Sequence, residues 1–61
     1  MGILLFCNVD ADGVLTESIF GERVIPMQQY DYFFYLADKD EETVTAELPN
    51  YRVINRELTT I

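Results

Sequence analysis

The sequence predicts a mostly β fold, or a small α+β one: a compact antiparallel sheet of four to five short strands closed by a C-terminal hairpin. Three observations predict it. Apolar runs of four to eight residues recur, bounded by Gly, Pro, Asn and Asp. β-branched and aromatic residues crowd those runs, above all in Tyr30-Asp31-Tyr32-Phe33-Phe34-Tyr35-Leu36. The chain has 61 residues, enough for a single small domain over residues 1–61.

Ile3 to Val9 is apolar apart from Asn8, as in a strand buried on both faces. Asp10-Ala11-Asp12-Gly13 is a turn in which Gly13 is free to take positive φ. Val14 to Phe20 is a second strand, broken by Gly21-Glu22. Arg23-Val24-Ile25 is a short third piece stopped by Pro26, which has no N–H to give a ladder. Met27-Gln28-Gln29 is loop or a single helical turn.

In the strand from Tyr30 to Leu36, alternation places Tyr30, Tyr32, Phe34 and Leu36 on one face and Asp31, Phe33, Tyr35 and the following Ala37 on the other. Both faces carry large apolar groups. A small two-layer fold covers one, which leaves the other for a second chain or a ligand. Asp38 to Glu42 is a solvated turn or the start of a helix. Thr43 to Leu48 alternates as a half-buried strand, with Val44, Ala46 and Leu48 inward. A short helix from Asp40 to Leu48 is the alternative. After Pro49-Asn50, Tyr51–Ile54 and Glu57–Ile61 form a hairpin around Asn55-Arg56.

Charge narrows the partners. Eleven acids face four bases, a net of −7. Binding nucleic acid through phosphates needs clustered cations, and anionic membranes need the same; neither partner is expected. The N-terminal apolar run is too short for a membrane span or a signal peptide. With one cysteine, Cys7, and no histidine, an intrachain disulfide and imidazole-based catalysis are excluded, and a buried Cys7 acts as a small hydrophobe. Action in a cytoplasm is the expectation.

Two motifs bear on chemistry. Asn8-x-Asp10-x-Asp12-Gly13 matches the opening of a calcium loop, but Ile19 stands where the bidentate Glu belongs. A plain turn, with no metal, is expected. Asp10-Ala11-Asp12-Gly13-Val14-Leu15-Thr16 after an apolar strand resembles the first motif of haloacid dehalogenase-type phosphatases. That resemblance implies Asp10 as nucleophile and Asp12 as acid/base on magnesium. It covers about a fifth of the chain, and the family's later lysine and paired aspartates have no counterparts here. The expectation is no enzyme and no cofactor.

The succession of strand, DG turn, short strand ending at Pro26, aromatic YDYFF segment, acidic linker and closing YRVINREL hairpin is similar to small accessory proteins of tailed phages. That resemblance implies a non-enzymatic role in the host cytoplasm: sequestering or occluding a host protein or small-molecule ligand, as an inhibitor or anti-defence factor. The alternative is an accessory structural protein of a tail or baseplate. The candidate binding residues are Tyr30, Tyr32, Phe33 and Tyr35 as aromatic anchors, with Arg23, Arg52 and Arg56 to hold an anionic group. Homo-oligomer formation is expected as well. Burial worth roughly 90 kcal/mol meets an ordering cost of about the same size, so a lone chain is marginal.

Overall fold

A computed structural model describes residues 2–61. Five strands and one short helix follow in the order β1 (Ile3–Val9), β2 (Leu15–Gly21), β3 (Tyr32–Leu36), α1 (Glu41–Glu47), a 3-10 turn (Leu48–Asn50), β4 (Tyr51–Ile54) and β5 (Glu57–Thr60). The strands divide between two antiparallel sheets, β2-β1-β3 and β4-β5, rather than forming one. The joint between the sheets is a bridge of Val14 to Arg52 and a bond from the Val53 N–H to the Gly13 carbonyl at 2.9 Å.

β1 is central. Leu5 stands opposite Phe20 of β2 and Phe34 of β3, and Phe6 opposite Ile19 and Phe33. A bulge between Asn8 and Val9 shifts the β2 register, and the Thr16 hydroxyl donates to the Asn8 carbonyl there. The β1–β2 turn forms as its residues dictate. Asp10 Oδ1 accepts from the N–H groups of Asp12 (2.9 Å) and Val14 (3.0 Å), and Gly13 takes φ +82°. Gly13 has a second reason to be glycine: a Cβ there would lie 2.5 Å from the Val53 carbonyl oxygen.

Two expectations are corrected. Arg23-Val24-Ile25 is not a strand; both edges of β1 are already taken by β2 and β3, and Ile25 is left exposed. Residues 43–48 are not a strand either, since the helix forms. Asp40 caps it by accepting from the Thr43 N–H at 2.8 Å. Glu41 and Glu42 stand in the first turn, where the helix dipole favours anions. Val44 and Leu48 lie four apart as well as alternating, so the helical period buries the same pair while Ala46 turns outward.

The core lies on one side of the larger sheet. Ile3, Leu5, Val44 and Tyr51 are its buried centre, with Leu15, Phe20, Phe34, Leu36, Leu48 and Leu58 packed around them. α1 and the β4–β5 hairpin are therefore both lids on the same face. Glu47 ties them together: it pairs with Lys39 at 2.8 Å and accepts from the Tyr51 hydroxyl at 3.0 Å. The hairpin turns on Asn55 and Arg56, both at positive φ (55° and 66°), as a two-residue primed turn requires.

Candidate functional site

Alternation along β1 sends Ile3, Leu5 and Cys7 into the core and Leu4, Phe6 and Asn8 to the opposite face. The register extends that outer face across the sheet in rungs. Tyr35, Leu4 and Gly21 form one rung; Phe33, Phe6 and Ile19 form the next; Asn8 and Glu17 form the third. The Phe6 and Phe33 rings lie 4.8 Å apart, and the Tyr30 ring lies 6.3 Å from that of Phe6. Phe33 and Tyr35 remain 53% and 60% exposed. The outer face is an aromatic surface that faces away from the helix and hairpin.

Its two ends differ. At one end the Asn8 amide organises a polar rim. Its oxygen accepts from the Asp31 N–H at 2.7 Å, and its NH₂ donates to Glu17 at 3.3 Å. Gln28 also donates to Glu17, at 3.3 Å. These bonds draw residues 22–31, which leave β2 opposite Leu4 and enter β3 opposite Cys7, onto the outer side of β1. Ile25 and Met27, on that connection, are 86% and 94% exposed. At the other end the Tyr35 ring packs over Gly2, where a Cβ would push the ring aside. Gly2, Glu22, Arg23 and Tyr35 there line a shallow open groove of about 340 Å³.

Four of the seven candidate residues meet on this surface: Tyr30, Phe33 and Tyr35 on the face and Arg23 at its rim. The other three do not. Tyr32 points inward, opposite Cys7, with its ring stacked 6.2 Å from that of Phe34. Tyr30 does not share its face, because the strand starts only at Tyr32 and Tyr30 is free to turn toward Phe6. The Arg52 guanidinium donates to the carbonyls of Pro49 (3.1 Å) and Tyr51 (2.8 Å), which closes the turn before β4. Arg56 stands in the hairpin turn of the other sheet.

Leu4, Phe6 and Ile19 belong to the site, and sequence reasoning missed them. Their signal was present in the period of two along β1 and β2. It was hidden because an unbroken apolar run looks alike whether one face is covered or both.

The acidic turn is separate from this surface. Asn8 faces the sheet's outer side and is bonded to Asp31 and Glu17, while Asp10 holds its own turn. Three oxygen ligands do not converge. Cys7 is fully buried, and burial together with the nearby Asp31 charge pushes its thiol pKa up. Among the described residues, no helix is long and apolar enough to cross a membrane. No protein-family model, curated protein or solved structure matches the chain.

Proposed function

We propose that the chain is a non-enzymatic, phage-type binding protein that acts by occupancy, sequestering or occluding a host partner. One observation carries the reading: Phe33 and Tyr35 stand more than half exposed on the outer face of the larger sheet, while the helix and hairpin pack on its other face. Contiguous apolar surface rimmed by polar groups is what interaction sites look like. Phe33 and Tyr35 are the anchors, since exposed aromatics concentrate binding energy. Glu17, Asn8, Gln28 and Asp31 at one end, and Glu22 and Arg23 at the other, form the polar rim that orients a partner. The net charge of −7 favours a partner with a basic border around an apolar centre.

The test is retention of a partner from host extract on immobilised protein, compared across three chains. The wild type and Arg56→Asp, altered in the distant hairpin turn, retain the same partner, and Phe33→Asp loses it. Retention indifferent to Phe33→Asp and Tyr35→Asp would remove the outer face from the function.

A further inference from the structure

The covering of the outer face can be specified further, on the reading that this face is an interaction surface. We propose that in the free protein a second copy of the chain covers it, face to face, about a two-fold axis perpendicular to the strands, and that the host partner displaces that copy. Each copy's Tyr35–Arg23 end then lies over the other copy's Asn8–Asp31 end.

Area is the first argument. An aromatic side chain carries ~150–250 Å², so Phe33 and Tyr35, each more than half exposed, present roughly 200 Å² between them. Leu4, Phe6, Ile19 and Tyr30 are half-buried on the same face, and Ile25 and Met27 stand almost fully exposed on the connection that crosses it. The sum is on the order of 600 Å² per copy, and doubling it reaches the lower end of the ~1,200–2,000 Å² that stable interfaces bury. The middle rung of the face, Phe33, Phe6 and Ile19, carries no charged residue, so apolar side chains meet at the centre of the contact.

Charge selects the axis. Glu17 and Asp31 mark one end of the face and Arg23 the other, beside Glu22. A two-fold along the strands would lay β2 over the other copy's β3 and set Glu17 against Asp31 twice, four carboxylates at one end of the face, and like-charge juxtaposition of that kind opposes association. The perpendicular two-fold separates them and sets Arg23 over the partner's Asp31. The remaining repulsion between two chains of −7 is long-range and screened by ions, so salt strengthens the dimer or leaves it unchanged.

The competing arrangement joins β3 edges into a continuous sheet and leaves the aromatic face bare. Sedimentation of the purified protein separates the two. The wild type sediments as a dimer at tens of micromolar. Phe33→Asp sediments as a monomer with an unchanged far-UV circular dichroism spectrum, since residue 33 already meets solvent. Arg23→Glu and Asp31→Arg each weaken the dimer about tenfold, and the two together recover most of the loss because the charges are exchanged across the axis. A wild type that stays monomeric at hundreds of micromolar overturns the proposal. So does a dimer indifferent to Phe33→Asp, which is edge pairing, or a double charge exchange that recovers nothing. A monomeric wild type that still retains a host partner through Phe33 overturns the dimer alone and leaves the interaction surface standing.

Discussion

The two faces of the three-stranded sheet are made from the same strands and nearly the same composition, yet they end in opposite environments. Ile3, Leu5 and Cys7 have no exposed surface, while Phe33 and Tyr35 on the other side are more than half open. The difference arises after β3. Everything that follows, the helix and then the hairpin, packs on one side, so Phe20, Phe34 and Tyr51 join the core while Phe33 and Tyr35 stay open on the other. Apolar content alone does not tell core from surface; the path of the connecting chain does.

The largest effect that tests this contrast comes from truncating matched positions on opposite faces. Leu5→Ala removes a fully buried side chain from the covered face and costs ~2–5 kcal/mol, enough to unfold much of the population in a thermal melt followed by circular dichroism. Phe33→Asp on the open face leaves the melting of the monomer nearly unchanged. Equal losses at the two positions would mean that both faces are core.

Next is the joint that holds the hairpin lid over the covered face. Gly13→Ala places a Cβ against the Val53 carbonyl at a residue with φ +82°, and costs more than about 1 kcal/mol in urea denaturation. Residual hairpin structure with the larger sheet intact would sharpen the view that the lid is a separate unit.

Titration of the groups that tie the lids together gives a smaller, graded effect. Burial, then its bond to Glu47, pushes the Tyr51 hydroxyl up to about 12 from its usual 10.0. The neutral form is thus favoured in the folded state, and stability falls as pH rises from 10 toward 12. The bond from Lys39, then that from Tyr51, holds the Glu47 carboxyl below its usual 4.5, and the Thr43 N–H does the same for Asp40 below 3.8. Their contribution is present above those usual values and is lost as pH falls through the lowered ones. The urea midpoint should therefore stay level between about pH 5 and 9 and decline on both sides, Cys7 adding to the alkaline side; Tyr51→Phe should lessen the alkaline decline most and, by removing one of the bonds to Glu47, ease the acid decline slightly.

The smallest effect concerns the lid's own turn. Arg56 holds φ 66°, a conformation that glycine adopts without penalty. Arg56→Gly should raise the melting temperature slightly, by a few tenths to about 1 kcal/mol of stability.

Local signals made much of this architecture legible. The bounds of β1, the Asp-Gly turn and the closing hairpin all depend on residues close in sequence, and each forms where its turn chemistry lies. The helix at 41–47 was ambiguous because Val44 and Leu48 satisfy a period of two and a separation of four alike. The cap from Asp40, the acidic first turn and the packing of Tyr51 against Val44 settle it, and the last of these is a tertiary fact. The candidate site was half legible for a related reason. Phe33 and Tyr35 follow from alternation within one strand. Leu4, Phe6 and Ile19 join them only through the register of three strands, and Arg52 leaves the set because nearby carbonyls of its own turn engage it.

Cys7 has a kinetic consequence. It is the chain's single thiol, it lies on the central strand, and it is sealed from water on the covered face. A thiol reagent reaches it only when the lids lift or the sheet opens, so the reaction rate at saturating reagent counts openings directly. The molecule thereby carries its own clock for breathing. Comparing that rate in Gly13→Ala, Tyr51→Phe and the wild type reports how often each fastening lets go, without any label added to the protein.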